Sequence, residues 1–279
     1  MLCIFLMILS AVGMIYGLKE TKKNKPIGKP ITAVSIAFAL LFALLHTCSQ
    51  GGTDIKDIIA KEMQYTKAST IILGQQLAKI APGSKALVII KPKTNYNKDR
   101  ENALLDGLKE GLETGDISIA ALVALQVPKE AKRQMPEGMY EVPPIEYWFT
   151  AKIFNEVIEK NKDCDLIISL VGLPPSQKEL SQIKLWSMKE GERPKLAIIN
   201  TPVYDLMPLF TEKLISVAVS YNPNAVYDEE QPPKEVRAAF DKRYILITDD
   251  NVADVSAKFS GMFNPEKGNT SEKKKKKTK

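Results

Sequence analysis

The first fifty residues constrain this chain most, because two long apolar runs lie on either side of a lysine-rich link. Residues Met1–Leu18 and Ile31–Thr47 contain no Lys, Arg, Asp or Glu. At 18 and 17 residues, these runs lie at the lower limit of the roughly 17 to 25 residues that cross a bilayer as a helix. The pattern predicts a transmembrane hairpin over residues 1–48.

The link between the two runs predicts how the hairpin is oriented. Residues 19–30 carry five lysines and a single acidic residue, Glu20. Short basic loops tend to stay in the cytoplasm, so the large C-terminal part is predicted to lie outside. The expected location is the inner (cell) membrane, with the lipid bilayer as a partner and the soluble domain on the extracytoplasmic side.

Two alternatives to the hairpin stay open at this point. A cleaved signal peptide would need translation to start near Lys19, so that a basic region precedes the apolar stretch. A lipoprotein signal would use Cys48, which follows the second run and precedes the polar sequence SQGG. His46 and Thr47 occupy the two positions where such a signal usually has small residues.

The net charge of +6 comes from two short segments rather than from the body of the chain. Loop 19–30 and tail 266–279 hold the lysine excess, and the remainder is slightly acidic. The tail, which ends in SEKKKKKTK, is too polar and self-repelling to fold, so it is predicted to be disordered. Because the folded part has no basic excess, no nucleic acid partner is predicted.

Short apolar runs of strand type alternate with stretches of helical period from residue 54 onward. The predicted strands are Lys85–Ile90, Ile117–Val127, Asp165–Val171, Lys195–Asn200, Leu214–Tyr221 and Tyr244–Thr248. The predicted helices are 54–80, 97–114, 148–161, 177–189, 203–213, 233–240 and 251–262. This alternation predicts an α/β fold, a doubly wound, mainly parallel sheet with helices on both faces. Residues 49–81 are predicted as a juxtamembrane helix and 82–265 as a single α/β domain.

In open α/β sheets, ligands bind at the carboxyl ends of the strands, near the switch in strand order. By this rule, the polar and turn residues at the end of each predicted strand are candidates for ligand binding. The candidate ligand-binding residues are Lys91, Thr94, Asn95, Gly172, Asn200, Thr201, Tyr221, Asn222, Asp249 and Asp250. Taken singly, most of them also have ordinary roles as strand stops and helix caps.

Several chemistries are disfavoured by what the sequence lacks. Its single histidine, His46, lies in the second apolar run, so the soluble part has no histidine for a catalytic triad or a metal site. The turn after the first strand, KPKTNYNKD, has no glycine, and neither the dinucleotide nor the phosphate-loop motif is present. Cys164 is expected to be a buried thiol. No catalytic residue, cofactor or metal is predicted.

The phrases KALVIIKP, GLKEGLE, CDLIISLVGLPP, KLAIIN and YILITDDNVADV resemble an α/β lobe of periplasmic (type I) substrate-binding proteins. That resemblance implies recognition of a small solute, although such receptors have two lobes and this soluble part has the length of one. The hairpin resembles a bacterial two-helix membrane domain of unknown function, which implies anchoring in the cell envelope.

The sequence thus predicts a membrane-anchored, extracytoplasmic binding module, receptor-like and non-catalytic, for a small polar solute or a protein partner. The alternative is a structural or assembly subunit of an envelope complex. In that case the hairpin and helix 54–80 would make the important contacts with an envelope protein.

Overall fold

The computed structural model describes residues 2–23, 25–92, 94, 97–133, 142–199, 202–203, 206–227 and 231–263. At 2–5, 7, 44–54 and 132–133 it describes only the backbone. The chain divides into two compact units, Met1–Lys61 and Glu62–Lys279.

Two helices form the first unit. Helix α1 spans Leu2–Lys22, and helix α2, which spans Gly28–Ile80, begins in this unit and ends in the second. Small residues bring α1 and α2 together, since a Cβ added at Gly13 would lie 2.6 Å from the Ser35 hydroxyl. A Cβ at Gly17 would likewise clash with Thr32.

Large apolar side chains of this unit lie on its outer surface. Exposed examples are Ile8, Leu9, Val12, Ile15, Leu18, Val34, Ile36, Phe38, Leu40 and Leu41. The hydroxyls of Ser10, Thr21 and Thr32 each donate to the carbonyl four residues earlier, at 2.9, 2.8 and 3.0 Å. Over the residues described, none of the helices combines the length and apolar character that crossing a membrane requires.

The second unit contains the sheet and the helices that cover it. Its strands are β1 (Lys85–Ile90), β2 (Ser118–Ala124), β3 (Leu166–Ser169), β4 (Lys195–Ile199), β5 (Val217–Tyr221) and β6 (Tyr244–Thr248). Its further helices are α3 (Lys98–Leu112), α4 (Lys129–Arg133), α5 (Ala151–Glu159), α6 (Gln177–Leu180), α7 (Met207–Thr211), α8 (Val236–Arg243), α9 (Val252–Lys258) and α10 (Ser260–Phe263). Short 3₁₀ turns lie at Glu113–Gly115, Ile145–Tyr147 and Lys184–Ser187.

The six strands form one sheet in the order β2-β1-β3-β4-β5-β6. Every neighbouring pair is parallel except β5 and β6, which run antiparallel with Val217 opposite Thr248 and Tyr221 opposite Tyr244. The predicted α/β class with a mainly parallel sheet is therefore confirmed. The prediction did not include the reversed direction of the last strand.

Apolar side chains fill both faces of this sheet. One core packs the C-terminal part of α2 together with α3 and α8, through residues such as Leu73, Leu108 and Phe240. The other core packs α5, α7 and α9 on the opposite face, through Phe154, Phe210 and Val252. Burial on both faces explains why the central strands read as continuous Ile, Leu and Val runs rather than as alternating patterns.

Two glycines of α3 let it approach α2 closely. A Cβ at Gly107 would collide with the Lys67 carbonyl oxygen, and a Cβ at Gly111 would collide with the Ile71 carbonyl oxygen. Both oxygens belong to the backbone, which cannot move aside as a flexible side chain could. The four-residue spacing of these glycines therefore serves helix packing, the ordinary explanation for such a pair within a helix.

Several predicted helices have other bounds in the structure. The helix predicted at 251–262 is divided into α9 and α10, and the helix predicted at 203–213 is shortened to α7. The apolar run 31–47 and the helix predicted at 54–80 are parts of the single helix α2. Gly51 and Gly52 disfavour a helix by only about 1 kcal/mol each, and no proline occurs between Pro30 and Pro82.

The helix predicted at 177–189 ends at Leu180, after a start capped by Ser176. The Trp186 indole N–H donates to the Leu180 carbonyl at 2.7 Å. The Ile183 N–H donates to the same carbonyl at 3.2 Å. The Lys184 N–H, which a continuing helix would bond to this carbonyl, donates instead to the Asn155 side-chain oxygen at 2.9 Å.

Candidate functional site

Strand order makes the carboxyl end of β1 the expected place for a ligand. The chain leaves β1 towards β2 on one side and returns to β3 on the other side. The loops that follow β1 and β3 consequently diverge, which is the arrangement where open α/β sheets bind ligands. The candidate residues can be judged by whether they lie at this edge and by whether their polar atoms are already bonded.

The β1–α3 loop is built around a paired Thr–Asn turn. The Thr94 backbone N–H donates to the Asn97 side-chain oxygen at 3.0 Å, and the Asn97 backbone N–H donates to the Thr94 hydroxyl at 3.2 Å. Asn97 also donates from its Nδ2 to the Pro92 carbonyl at 3.0 Å. Thr94 thus lies at the predicted edge, with its hydroxyl accepting a hydrogen bond that shapes the turn.

Glu101, in the first turn of α3, is the most unusual residue at this edge. Its side chain lies in the apolar stripe formed by Leu104 and Leu108, and the residue is only 6% exposed. Its Oε2 atom has no hydrogen-bond partner among the described residues. Burial raises the pKa of this carboxyl, while the positive charges of Lys91 and Arg100 act in the opposite direction. A buried carboxyl that feels the positive charges of Lys91 and Arg100 therefore lies at the end of β1.

Sequence reasoning nominated Lys91 but missed Glu101. The signal was available, because Glu101 lies three and seven residues before the apolar positions 104 and 108. An acidic residue on the buried stripe of a helix is rare enough to mark a candidate.

A second group at the same edge joins α3 to the end of β5. Arg100 donates from Nη2 to the Tyr221 hydroxyl at 3.4 Å. The Tyr221 ring lies 5.5 Å from the Tyr244 ring, centroid to centroid, and about half of Tyr221 is exposed. Burial and then the neighbouring Tyr221 raise the pKa of Tyr244 to about 12, so it stays a neutral hydroxyl at physiological pH. Tyr221 thus offers an aromatic face to solvent beside an arginine.

The buried Arg243 holds the β5–β6 connection in place. Its guanidinium lies between the rings of Tyr65 and Tyr227, at 4.5 and 4.0 Å from their centroids. It also donates to the Val226 carbonyl at 2.8 Å and to the Glu62 carboxylate at 3.2 Å. With its guanidinium stacked and bonded in this way, Arg243 supports Tyr221 and Tyr244 rather than offering a free cation.

Asn222 and Gly172 lie at the carboxyl edge but use their polar atoms for the backbone. The Asn222 N–H donates to the Arg243 carbonyl, and its side chain bonds both the Asn224 N–H and the Asp241 carbonyl. Gly172 has a φ of +81°, and its carbonyl accepts a hydrogen bond from the buried Ser169 hydroxyl at 2.5 Å. Both residues shape turns, as the ordinary reading of each suggested.

The shared edge predicted for Asp249 and Asp250 is wrong. Because β6 is antiparallel, its carboxyl end lies beside Val217, the first residue of β5. Asp249 and Asp250 follow that end and therefore lie at the opposite edge from Tyr221. The predicted residues Asn95, Asn200 and Thr201 lie outside the described residues.

The structure gives no sign of a metal centre or a reactive thiol where it describes the chain. No group of His, Cys, Asp and Glu side chains suited to a metal ion occurs in the described ranges. Cys164 is buried, and burial raises the pKa of its thiol, which disfavours the nucleophilic thiolate.

A groove of about 950 Å³ lies beside β2 and α5 and reaches Pro92, in the loop that follows β1. Its lining is mainly apolar and includes Val123, Leu125, Val127 and Ile153. It contains none of the predicted ligand residues. We place the candidate site at the polar edge rather than in this groove, because Glu101, Lys91 and Arg100 supply the groups that orient a polar ligand.

The solved structures that are similar to this chain include three binding proteins. The arabinose binding protein AraP from Geobacillus stearothermophilus is 12% identical, with a TM-score of 0.41, covering 68% of this chain and 62% of its own. The glucose-galactose binding protein GanP from the same organism is 10% identical, with a TM-score of 0.41 and coverages of 67% and 61%. An ABC transporter solute binding protein from Bradyrhizobium sp. BTAi1 is 12% identical, with a TM-score of 0.40 and coverages of 69% and 53%.

All three are solute-binding proteins, the class that the strand phrases of this chain resemble. This chain spans less than two thirds of the length of each of them. At these TM-scores the likeness carries no ligand or mechanism over to this chain, and it does not bear on the N-terminal hairpin. No protein-family model and no curated protein matches the chain.

Proposed function

We propose that this chain is a membrane-anchored, extracytoplasmic binding module that holds a small polar solute at the carboxyl edge of its sheet without transforming it. The observation that carries the proposal is the buried Glu101 carboxyl, which has an oxygen that no described residue satisfies. The positive charges of Lys91 and Arg100 act on this carboxyl.

A solute would complete the hydrogen bonding of this edge. A buried polar oxygen without a partner is unfavourable by about 1–3 kcal/mol, and a ligand hydroxyl or amide that donates to Glu101 removes that penalty. Lys91 and Arg100 would donate to acceptor atoms of the same molecule. Tyr221 would contribute an aromatic face for the apolar side of the solute. The favoured ligand is a neutral molecule with neighbouring donors and acceptors.

Membrane anchoring through the hairpin is supported by the packing of α1 against α2. Gly13 and Gly17 provide the small-residue contact that lets transmembrane helices approach closely. Many apolar side chains of α1 and of the first part of α2 lie outward, where lipid or a neighbouring helix would cover them. With the basic residues 19–30 in the cytoplasm, the rest of the chain follows on the outer side. The proposed organisation is a hairpin over 1–48, a juxtamembrane helix over 49–81, an α/β domain over 82–265 and a lysine-rich tail.

A thermal-shift screen of the full-length chain in detergent micelles tests the binding proposal. Sugars, amino acids, nucleosides and oligopeptides form the panel. A ligand at 100 times its dissociation constant should stabilise the fold by about 2.7 kcal/mol, which shifts the melting temperature by a few degrees. The Glu101→Gln variant should lose the shift, and Asp249→Asn should keep it, because Asp249 lies at the other edge.

The outcome separates binding from an assembly role. A shift that persists in Glu101→Gln and Lys91→Met would place the ligand elsewhere and refute the proposed site. The assembly alternative is favoured by three exposed isoleucines of α2, Ile55, Ile58 and Ile59. The assembly role would be supported if a well-folded chain showed no thermal shift with any compound of the panel but co-purified with an envelope protein. Flotation with liposomes tests the anchoring independently.

A further inference from the structure

Helix α2 carries an apolar stripe that the proposed bilayer does not cover. Ile55, Ile58 and Ile59 are 60%, 57% and 48% exposed. Their spacing of three and four residues places them on one side of the helix. They follow residue 48, where the predicted hairpin ends, so they lie in water. Exposed apolar side chains grouped in this way mark an interaction surface.

The stripe continues an apolar repeat that starts earlier in α2. Val34, Phe38 and Leu41 are about half exposed and are spaced by four and three residues. Steps of seven lead from Val34 and Leu41 to Ile55, and from Phe38 to Ile59. The intermediate positions 45, 48 and 52 are Leu, Cys and Gly in the sequence, none of them charged. The exposed residues Val34, Phe38, Leu41, Ile55 and Ile59 are called the α2 seam below.

This spacing selects the kind of partner. A repeat of seven residues averages 3.5 per turn, which keeps one seam facing a partner helix that winds around it as a left-handed coiled coil. Helix α1 contacts α2 through other residues, Thr32 and Ser35, and so leaves the seam to another partner. The next position in the repeat, Glu62, pairs instead with Arg243 at 3.2 Å, which ends the seam at Ile59.

A second copy of this chain fits the seam because the seam is complementary to itself. It contains no charged residue, so two identical seams can meet without like charges opposing one another. Two copies inserted in one membrane by the same hairpin have parallel α2 helices at the same depth, which brings each seam residue opposite its own counterpart. Ile58 would lie at the margin of the contact and widen it.

We propose that two copies of this chain associate through the α2 seam as a parallel, in-register coiled coil. The parallel arrangement of the two helices rests on the membrane anchoring proposed above. The seam itself rests on the exposure and the seven-residue spacing of the α2 side chains. The association would hold two solute-binding domains in one complex.

Cysteine cross-linking of the full-length chain in micelles tests the seam. The native Cys3, Cys48 and Cys164 are first replaced by alanine. Ile55→Cys and Ile59→Cys then place thiols on the seam, and Asp57→Cys and Ala60→Cys are matched controls on exposed positions away from it. Mild oxidation should give a disulfide-linked dimer at 55 and 59 in several-fold higher yield than at 57 and 60. Equal yields at all four positions, or no dimer at 55 and 59, would overturn the proposal.

A measurement of mass provides the second arm. The wild-type chain should have the protein mass of two copies by light scattering after subtraction of detergent. Ile55→Lys with Ile59→Lys should halve that mass, while Asp57→Lys with Ala60→Lys should leave it unchanged. Circular dichroism checks that each variant is folded. A wild-type monomer, or a mass unaffected by the seam lysines, would refute the coiled coil.

The design also separates this inference from the anchoring on which its direction rests. Liposome flotation that is retained without cross-linking would mean that the hairpin anchors the chain but α2 does not self-associate. Cross-linking that is retained without flotation would mean that the seam is real and the anchoring is wrong.

Discussion

Replacing Glu101 with leucine is expected to stabilise the α/β unit and to abolish solute binding at the same time. The side chain is 6% exposed, and its Oε2 atom lacks a partner among the described residues. Leucine would extend the apolar stripe of Leu104 and Leu108. A residue retained for folding alone would show the opposite effect on stability.

The size of the gain follows from two contributions. Removing a buried, unsatisfied polar group relieves about 1–3 kcal/mol. Full burial of a leucine side chain is favourable by about 1.5–3 kcal/mol, of which only part counts here, because the methylene groups of Glu101 are buried already. The larger shape of the branched side chain opposes these gains. We expect Glu101→Leu to raise the free energy of unfolding by about 1–3 kcal/mol near neutral pH.

The gain should depend on pH in a defined direction. Burial raises the pKa of Glu101, so the folded chain holds this proton more tightly than the unfolded chain does. Below about pH 4, near the ordinary pKa of glutamate, the carboxyl is protonated in both states and its ionisation does not reduce the free energy of unfolding. As the pH rises through the folded-state pKa, ionisation of the buried carboxyl lowers the free energy of unfolding. The stabilisation by Glu101→Leu, and that by Glu101→Gln, should therefore be larger at pH 7 than at pH 4.

Urea unfolding, followed by circular dichroism at both pH values, measures these free energies. Asp106→Leu is the matched control, because it replaces an exposed carboxylate on the same helix and should change stability by less than about 0.5 kcal/mol. A loss of more than 1 kcal/mol in Glu101→Leu at pH 7 would show that the carboxyl makes stabilising bonds, and the reasoning for the binding site would fail.

Three further predictions concern the frame of the site. Arg243→Met should lower the free energy of unfolding by about 2–4 kcal/mol in urea titrations, since it removes two stacking contacts and a buried hydrogen bond. Gly107→Ala should lower the free energy of unfolding by about 1–3 kcal/mol, because the added methyl group would collide with the Lys67 carbonyl oxygen. An unchanged melting temperature would contradict the close packing of α3 on α2. Asp249→Asn with Asp250→Asn should leave the solute dissociation constant within about twofold by calorimetry; a larger loss would return those residues to the site.

The alternation of strands and helices was predictable because burial leaves a strong signal. Residues 85–90, 195–199 and 244–248 are strands in the structure almost as the apolar runs indicated. Short polar segments were less predictable, because single side chains decide their paths. After the end of α6, the Trp186 indole donates to the Leu180 carbonyl and the Lys184 N–H donates to the Asn155 side chain, and such contacts have no sequence period.

The candidate site was predictable only in part. Lys91 follows β1 directly and Tyr221 is the last residue of β5, so the rule for strand ends finds them. Glu101 lies four residues into α3, and Arg100 meets Tyr221 across a separation of 121 residues. Neither position follows a strand, so only the folded chain brings these side chains to one edge.

Asp249 and Asp250 show why a local pattern cannot assign an edge of the sheet. Thr248 and Asn251 form the same pair of reciprocal bonds after β6 that Thr94 and Asn97 form after β1, at 2.8 and 3.3 Å. In each case the asparagine also donates to a carbonyl two residues before the threonine, that of Leu246 or Pro92. The same hydrogen bonds follow a parallel strand at one edge and an antiparallel strand at the other. Strand direction depends on pairing with β5, so an acidic pair after an apolar run becomes a ligand candidate only once that pairing is known.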